Sequence, residues 1–155
     1  MHIQEVSPDE EVLEELIALS GDWEAENSCY GYRANRREDI EGNRVFLARE
    51  RGKTVGYLFG HCFRPENMHS VIPEGSSCFE AEEVYVIPQR RSEGIGRALF
   101  EAAAEAVRNE ADYITLSTAT RNWRAVFHFY LDELGMEFWS ARLFKRIAKE
   151  AEEEK

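Results

Sequence analysis

The sequence is short of cysteine and of positive charge, and it has no long hydrophobic run. Cys29, Cys62 and Cys78 are an odd count at spacings that match no zinc pattern, so they read as reduced, mostly structural thiols. His61, Cys62, His69 and Cys78 contain no compact CxxC or HxxxH pair to anchor a metal, and no metal is expected. Lys and Arg number 19 against 30 Asp and Glu, a net charge of −11. A nucleic-acid or anionic-membrane partner needs a dominant basic face, so neither is expected. A cationic small molecule or peptide suits this balance better. No segment approaches the roughly 18 consecutive apolar residues of a membrane span. The opening residues, MHIQEVSPDEEV, lack the basic and apolar regions of a signal peptide, which leads to the expectation of a cytoplasmic protein.

What is present points to a globular chain. Apolar residues make up 43% and charged residues 32% of 155, enough to bury roughly 70% of the surface an unfolded chain exposes. We expect one domain over residues 1–147 and a charged tail, AKEAEEEK, over 148–155.

Hydrophobic spacing predicts the elements. A short strand at His2–Val6 leads to a helix with Ser7 as N-cap, Pro8 in the first turn and Glu10 completing a capping box. Val12, Leu13, Leu16, Ile17 and Leu19 carry that helix to about Ser20, with Gly21 as its stop. Residues 22–43 are aromatic and charged, with room for one helix and a loop. Val45–Arg49 and Thr54–Phe63 form a hairpin around Arg51, Gly52 and Lys53. A long loop follows at 64–77, a length associated with functional covers, then a strand at Phe79–Ile87 closed by Pro88. A helix is predicted from Ile95 to Arg108, a β-rich run at Tyr113–Thr118, and a helix around Trp123–Leu134 stopped by Gly135. Phe138–Ile147 is expected to supply one or two closing strands. Strands alternating with helices imply an α/β fold with a mixed, mostly antiparallel sheet flanked by helices on both faces.

The most informative segment is VYVIPQRRSEGIGRALF, residues 84–100. An apolar strand runs into a turn bearing arginines and glycines that opens a helix. Such a turn presents unpaired backbone N–H groups and the positive end of a helix dipole to an anion. Arg90, Arg91 and Arg97 against Glu93 make the window locally positive within an acidic chain. A P-loop is excluded, because no lysine follows Gly96. A dinucleotide fingerprint is excluded too, since Leu99 stands where its third glycine belongs.

What remains is RxxGxG, Arg91 to Gly96, which resembles the pyrophosphate-binding motif of the GNAT superfamily of acyl-CoA-dependent N-acyltransferases. The block STATRNWRAVFHFYLDELGM, residues 117–136, is similar to that superfamily's later strand–Asn–helix segment. The resemblance covers essentially the whole chain. It implies acetyl-CoA as co-substrate, held at Arg91, Ser92, Glu93, Gly94, Ile95, Gly96 and Arg97. It further implies that backbone near Tyr85 and Val86 pairs with the pantetheine arm, that the Val86 N–H polarises the thioester carbonyl, and that Asn122 bonds the coenzyme. Asn122 also suits a helix N-cap.

Acyl transfer to an amine needs a base, an oxyanion donor and an acid for the departing thiolate. The base candidates are Glu82 and Glu83, with Glu80 behind, in the run FEAEEV. Regular alternation sends Glu82 and Glu83 to opposite faces unless a bulge re-aims one, and the resemblance implies such a bulge. Tyr130 is the candidate acid. The spacings Asn122–Tyr130 and Tyr130–Gly135 are each one residue longer than the family pattern, so Phe129 competes for that slot, and His128 reads as a surface residue. Cys78 as an acyl relay is disfavoured by the glutamates that follow it.

Asp22, Trp23, Glu24, Glu26, Tyr30 and Tyr32 mix acid and aromatic groups in a way that suits an acceptor cation. The expected activity is acetyl transfer to a primary amine, a small cationic one first and a protein or peptide amino group second. It would proceed directly in a ternary complex, with a homodimer as one candidate assembly. A non-catalytic acyl-CoA-binding module is the alternative of a different class.

Overall fold

The computed structural model describes residues 1–67 and 71–149. Five strands form one sheet in chain order. They are β1 (His2–Val6), β2 (Arg44–Glu50), β3 (Lys53–Phe63), β4 (Cys78–Val86) and β5 (Tyr113–Thr115). Neighbours pair antiparallel except β4 and β5, which are parallel. The helices are α1 (Glu10–Glu26), α2 (Arg37–Ile40), α3 (Ile95–Ala106) and α4 (Trp123–Phe127). This is the mixed sheet with helices on both faces that the alternating pattern implies.

Alternation along the strands builds two cores. Phe46, Ala48, Leu58, Phe79 and Ala81 pack under Ile95, Leu99, Ala103 and Val107 of the α3 side. Val45, Leu47, Tyr57, Phe59 and Tyr85 pack on the other face against Val12, Leu13 and Leu16 of α1 and Ile40 of α2. Each fully buried side chain of this size contributes roughly 1.5–3 kcal/mol.

The β4 strand changes parity within itself. Phe59 pairs with Glu83 and Gly60 with Ala81, leaving Glu82 as an extra residue in a bulge. Phe79 and Ala81 therefore face α3, whereas Tyr85 beyond the bulge faces α1. Gly60 sits opposite this bulge, and a Cβ there would lie 2.1 Å from the Glu80 carbonyl oxygen. Only glycine admits so close a backbone approach.

Four boundaries differ from the sequence reading. The N-cap of α1 is Asp9, whose carboxylate accepts the Val12 N–H at 3.0 Å, while Ser7 only lends its carbonyl to the Asp9 N–H. A carboxylate at this position also suits the helix dipole. The helix passes Gly21 and ends at Glu26, with Asn27 left-handed at φ 52°. A mid-helix glycine costs about 1 kcal/mol, and the packing of Trp23 on Tyr32 and Tyr85, at roughly 0.5–1.5 kcal/mol per aromatic pair, offsets it.

The third difference is at β5, which stops at Thr115. Thr120 instead bridges to Cys29. The fourth concerns Phe138–Ile147, where the sequence predicts closing strands and no regular structure forms. Leu143, Phe144 and Ile147 are exposed. Aromatic and branched composition marks a segment able to join a ladder, but β5 engages only three residues of the sheet edge. Of the 64–77 loop and the 148–155 tail, residues 68–70 (with His69) and 150–155 lie outside the described residues.

Candidate active site

The site begins where β4 outruns β5. Their pairing ends at Glu80–Thr115, and β4 continues to Val86 with no strand along that edge among the described residues. The Ile87 N–H bonds the Val55 carbonyl on the β3 side. Antiparallel alternation then turns the Val86 N–H and C=O toward the open edge.

Beyond Val86 a short 3₁₀ turn, Pro88–Arg90, leads into the glycine turn and α3. Ser92 and Gly94 both have positive φ, 65° and 84°, which arches the backbone into a concavity of the kind suited to an anion. The first intrahelical bond there runs from the Ala98 N–H to the Gly94 carbonyl. Among the described residues, the backbone N–H groups from Ser92 to Arg97 find no acceptor. A Cβ at Gly96 would come within 3.3 Å of the Phe129 ring, so the turn is closely backed. These donors and the open β4 edge fit a diphosphate carrying an extended amide arm.

The arginines of the turn are not free charges, as their sequence window alone implied. Arg90 pairs with Glu50 and Glu93, Arg97 with Glu101, and Arg91 with Glu26. The anion-binding capacity of the turn rests first on its backbone.

A cleft of about 330 Å³ lies along the open edge. It brings together Glu82, Glu83, Tyr85, Val86, Arg91, Asn122 and Tyr130 from the candidate set, and Trp23 and Cys29 line it as well. Ser92 to Arg97 lie at the adjoining turn. No described residue of the 64–77 loop lines it.

The two adjacent glutamates occupy different environments. Glu82, in the bulge, is half-exposed, with His61 Nδ1 at 3.4 Å. It lines both the cleft and a neighbouring groove of about 410 Å³ formed with Asp39, Glu41, Asn43 and His61. Glu83 turns inward. Its Oε2 accepts from the Tyr57 hydroxyl at 2.8 Å, the Asn35 amide at 2.8 Å and the Tyr32 hydroxyl at 3.2 Å. Burial pushes the Glu83 carboxyl above the usual carboxylate range, against the opposing pull of these three donors. Glu80 accepts from the Thr115 hydroxyl between β4 and β5.

Tyr32 and Asn35 therefore tie the segment after α1 to the bulge. The Tyr32 ring packs on Trp23 at 4.3 Å, and Trp23 stacks on Tyr85 at 5.2 Å. This carboxylate-centred tie was missed in the sequence, since its partners lie 26 to 51 residues from Glu83. Of the acceptor-side candidates, Trp23 reaches the cleft. Glu24 accepts the Ala34 N–H, and Tyr30 sits outside under Arg121.

The extra residues around position 130 have a structural home. After α4 the chain winds through a π-helical turn, His128–Glu133, with the Leu134 N–H on the Phe129 carbonyl. A π turn absorbs one more residue than an α turn. Tyr130 faces the cleft and Phe129 faces Gly96. Burial pushes the Tyr130 hydroxyl up to about 12. Asn122 stands at the α4 N-cap, but its side chain makes no cap bond. His128 pairs with Asp132 on the surface. Cys78 is fully buried in β4, and burial raises its thiol, which disfavours a reactive thiolate.

The acetyltransferase (GNAT) domain model matches residues 41–132, more than half of the chain, and the chain belongs to that family. No curated protein matches its sequence. Solved structures share the fold at low identity. An aminoglycoside acetyltransferase from an uncultured soil metagenomic sample is 23% identical, with TM-score 0.67 over 95% of this chain and 98% of that one. An aminoglycoside N-acetyltransferase in complex with CoA is 16% identical, TM-score 0.65, over 96% and 100%. A ribosomal-protein-alanine N-acetyltransferase from Brucella melitensis biovar Abortus 2308 is 18% identical, TM-score 0.65, over 94% and 100%. Among the described residues no helix is long and apolar enough to cross a membrane.

Proposed function

We propose that the protein transfers an acetyl group from acetyl-CoA to a primary amine of a small cation, by direct attack within a ternary complex. The observation that carries this reading is the bulge. It puts Glu82 in the cleft beside the open β4 edge, half-exposed, with His61 as its nearest basic neighbour among the described residues.

The coenzyme supplies an activated thioester, and the turn from Ser92 to Arg97 would hold its diphosphate through backbone N–H groups. The outward Val86 N–H is the donor for the developing oxyanion. An alkylammonium, with pKa about 10, must lose a proton before it can attack. Glu82 takes that proton, directly or through water. Glu83 stays with its three donors and holds the aromatic wall. Tyr130, protonated at neutral pH, donates to the departing sulfur. A positioned neutral amine is nucleophile enough without a covalent enzyme intermediate.

Glu82, Asp39 and Glu41 give the acceptor side an acidic character, and two of the structural neighbours are aminoglycoside acetyltransferases. The acidic lining supports a cationic acceptor, and the aminoglycoside enzymes support a small one, with the ribosomal-protein-alanine N-acetyltransferase of the same fold supporting the peptide alternative. The test is a panel of amines and N-terminal peptides with acetyl-CoA, read by release of free thiol. Turnover with small polyamines or aminoglycosides is expected. Turnover with peptides alone would reverse the choice of acceptor, and none at all would favour a binding module.

A further inference from the structure

We propose that Glu26 is a positioning residue that competes with the coenzyme diphosphate for Arg91. The inference rests on the coenzyme reading of the glycine turn and concerns what the free protein does with Arg91, the arginine that faces the cleft among the described residues.

Arg91 is the member of the turn's arginine set that lines the cleft. Its Nη1 and Nη2 form a fork with the Glu26 carboxylate, at 2.7 and 3.0 Å. Its Nε donates to the Val86 carbonyl at 2.9 Å, and its guanidinium carbon stands 5.5 Å from the Tyr85 ring centre. The Tyr85 hydroxyl donates to the same carboxylate at 3.2 Å. All three guanidinium nitrogens are thus engaged away from the helix N-terminus, across the strand edge that an extended arm would use.

Two features make this arrangement exchangeable. The Arg91–Glu26 pair is part-exposed, with side-chain exposures of 43% and 21%, and ion pairs in such settings are weak. The N–H groups from Ser92 to Arg97 offer an anion a second, pre-formed set of donors one residue from Arg91. An anion bound there draws Arg91 from Glu26, clearing the Val86 carbonyl in the same movement. Arg90 and Arg97 have no such role, because their partners Glu50, Glu93 and Glu101 lie outside the cleft.

The test is calorimetric titration of CoA into the wild type, Glu26→Gln, Arg91→Gln and the double variant, with thermal unfolding as a check that each is folded. Glu26→Gln is expected to bind CoA about two- to five-fold more tightly than the wild type, the scale of a part-exposed ion pair. Arg91→Gln binds more weakly, and in its background Glu26→Gln brings no further gain. Equal affinity of Glu26→Gln and wild type overturns the proposal. So does a gain that persists without Arg91, which would be plain removal of a negative charge. Failure of the wild type to bind CoA would overturn the coenzyme reading itself, and this inference with it.

Discussion

Replacing Glu83 by alanine tests whether the two adjacent glutamates have separate tasks. The variant removes the single oxygen that accepts from Tyr57, Asn35 and Tyr32. Tyr57 is fully buried and Asn35 is 9% exposed, so at least two buried donors lose their acceptor. Each costs about 1–3 kcal/mol, giving about 2–6 kcal/mol in total, a large part of the typical stability of a domain.

One effect opposes this loss. Burial raises the Glu83 carboxyl, so the native state holds its proton at pH values where the unfolded chain has released it. Wild-type stability from this group therefore falls as pH rises from the ordinary carboxylate value, about 4.3, to the raised one. The deficit of Glu83→Ala is greatest in acid and shrinks through that window. Glu82→Ala, removing a half-exposed side chain, should cost under about 0.5 kcal/mol. Urea unfolding of the three proteins at several pH values measures both effects. Equal costs at the two positions, or a Glu83→Ala deficit that grows with pH, would refute this division.

Other outcomes follow from the same geometry. Glu82→Gln should lower kcat about 10²–10⁴-fold with unchanged CoA affinity by calorimetry, and a loss confined to acceptor KM would remove it as base. Tyr130→Phe should slow transfer with little effect on stability. Because Tyr130 stays protonated to about pH 12, the wild-type rate against pH should show no falling limb from this group below about pH 11; one abolished by Tyr130→Phe would contradict the assignment. Gly60→Ala should destabilise by about 1–3 kcal/mol or more, since its Cβ meets backbone, and should lower activity by distorting the bulge. Native-like stability and rate in that variant would show that the strands part there freely.

Much of the architecture was legible because it is written in local periodicity. The hairpin at Arg51–Lys53, the β4 strand and α3 announce themselves through alternation, glycine placement and a buried stripe. The glycine turn was legible for the same reason, as it needs only contiguous residues. What stayed hidden depends on distant partners. The arginines read as free charge until Glu26 and Glu50 are folded against them. Gly21 read as a stop because the aromatic packing around Trp23 that carries α1 onward comes from Tyr32 and Tyr85. The inward turn of Glu83 requires the bulge, which residue pattern alone leaves open and family likeness brought into view. Residues 138–147 have strand-like composition, and composition does not name a partner edge.

The bulge at Glu82 also uncouples the architecture of β4 from the residue it displays. Ala81 and Glu83 pair with the consecutive β3 residues Gly60 and Phe59, so loss of the extra residue between them would restore plain alternation. Glu83, Val84, Tyr85 and Val86 would stay on their present faces, and both cores would keep their members. What would vanish is the kink, and with it the carboxylate it lifts out of the ladder. A homologous chain one residue shorter here could therefore keep the sheet while giving up the side chain at the cleft.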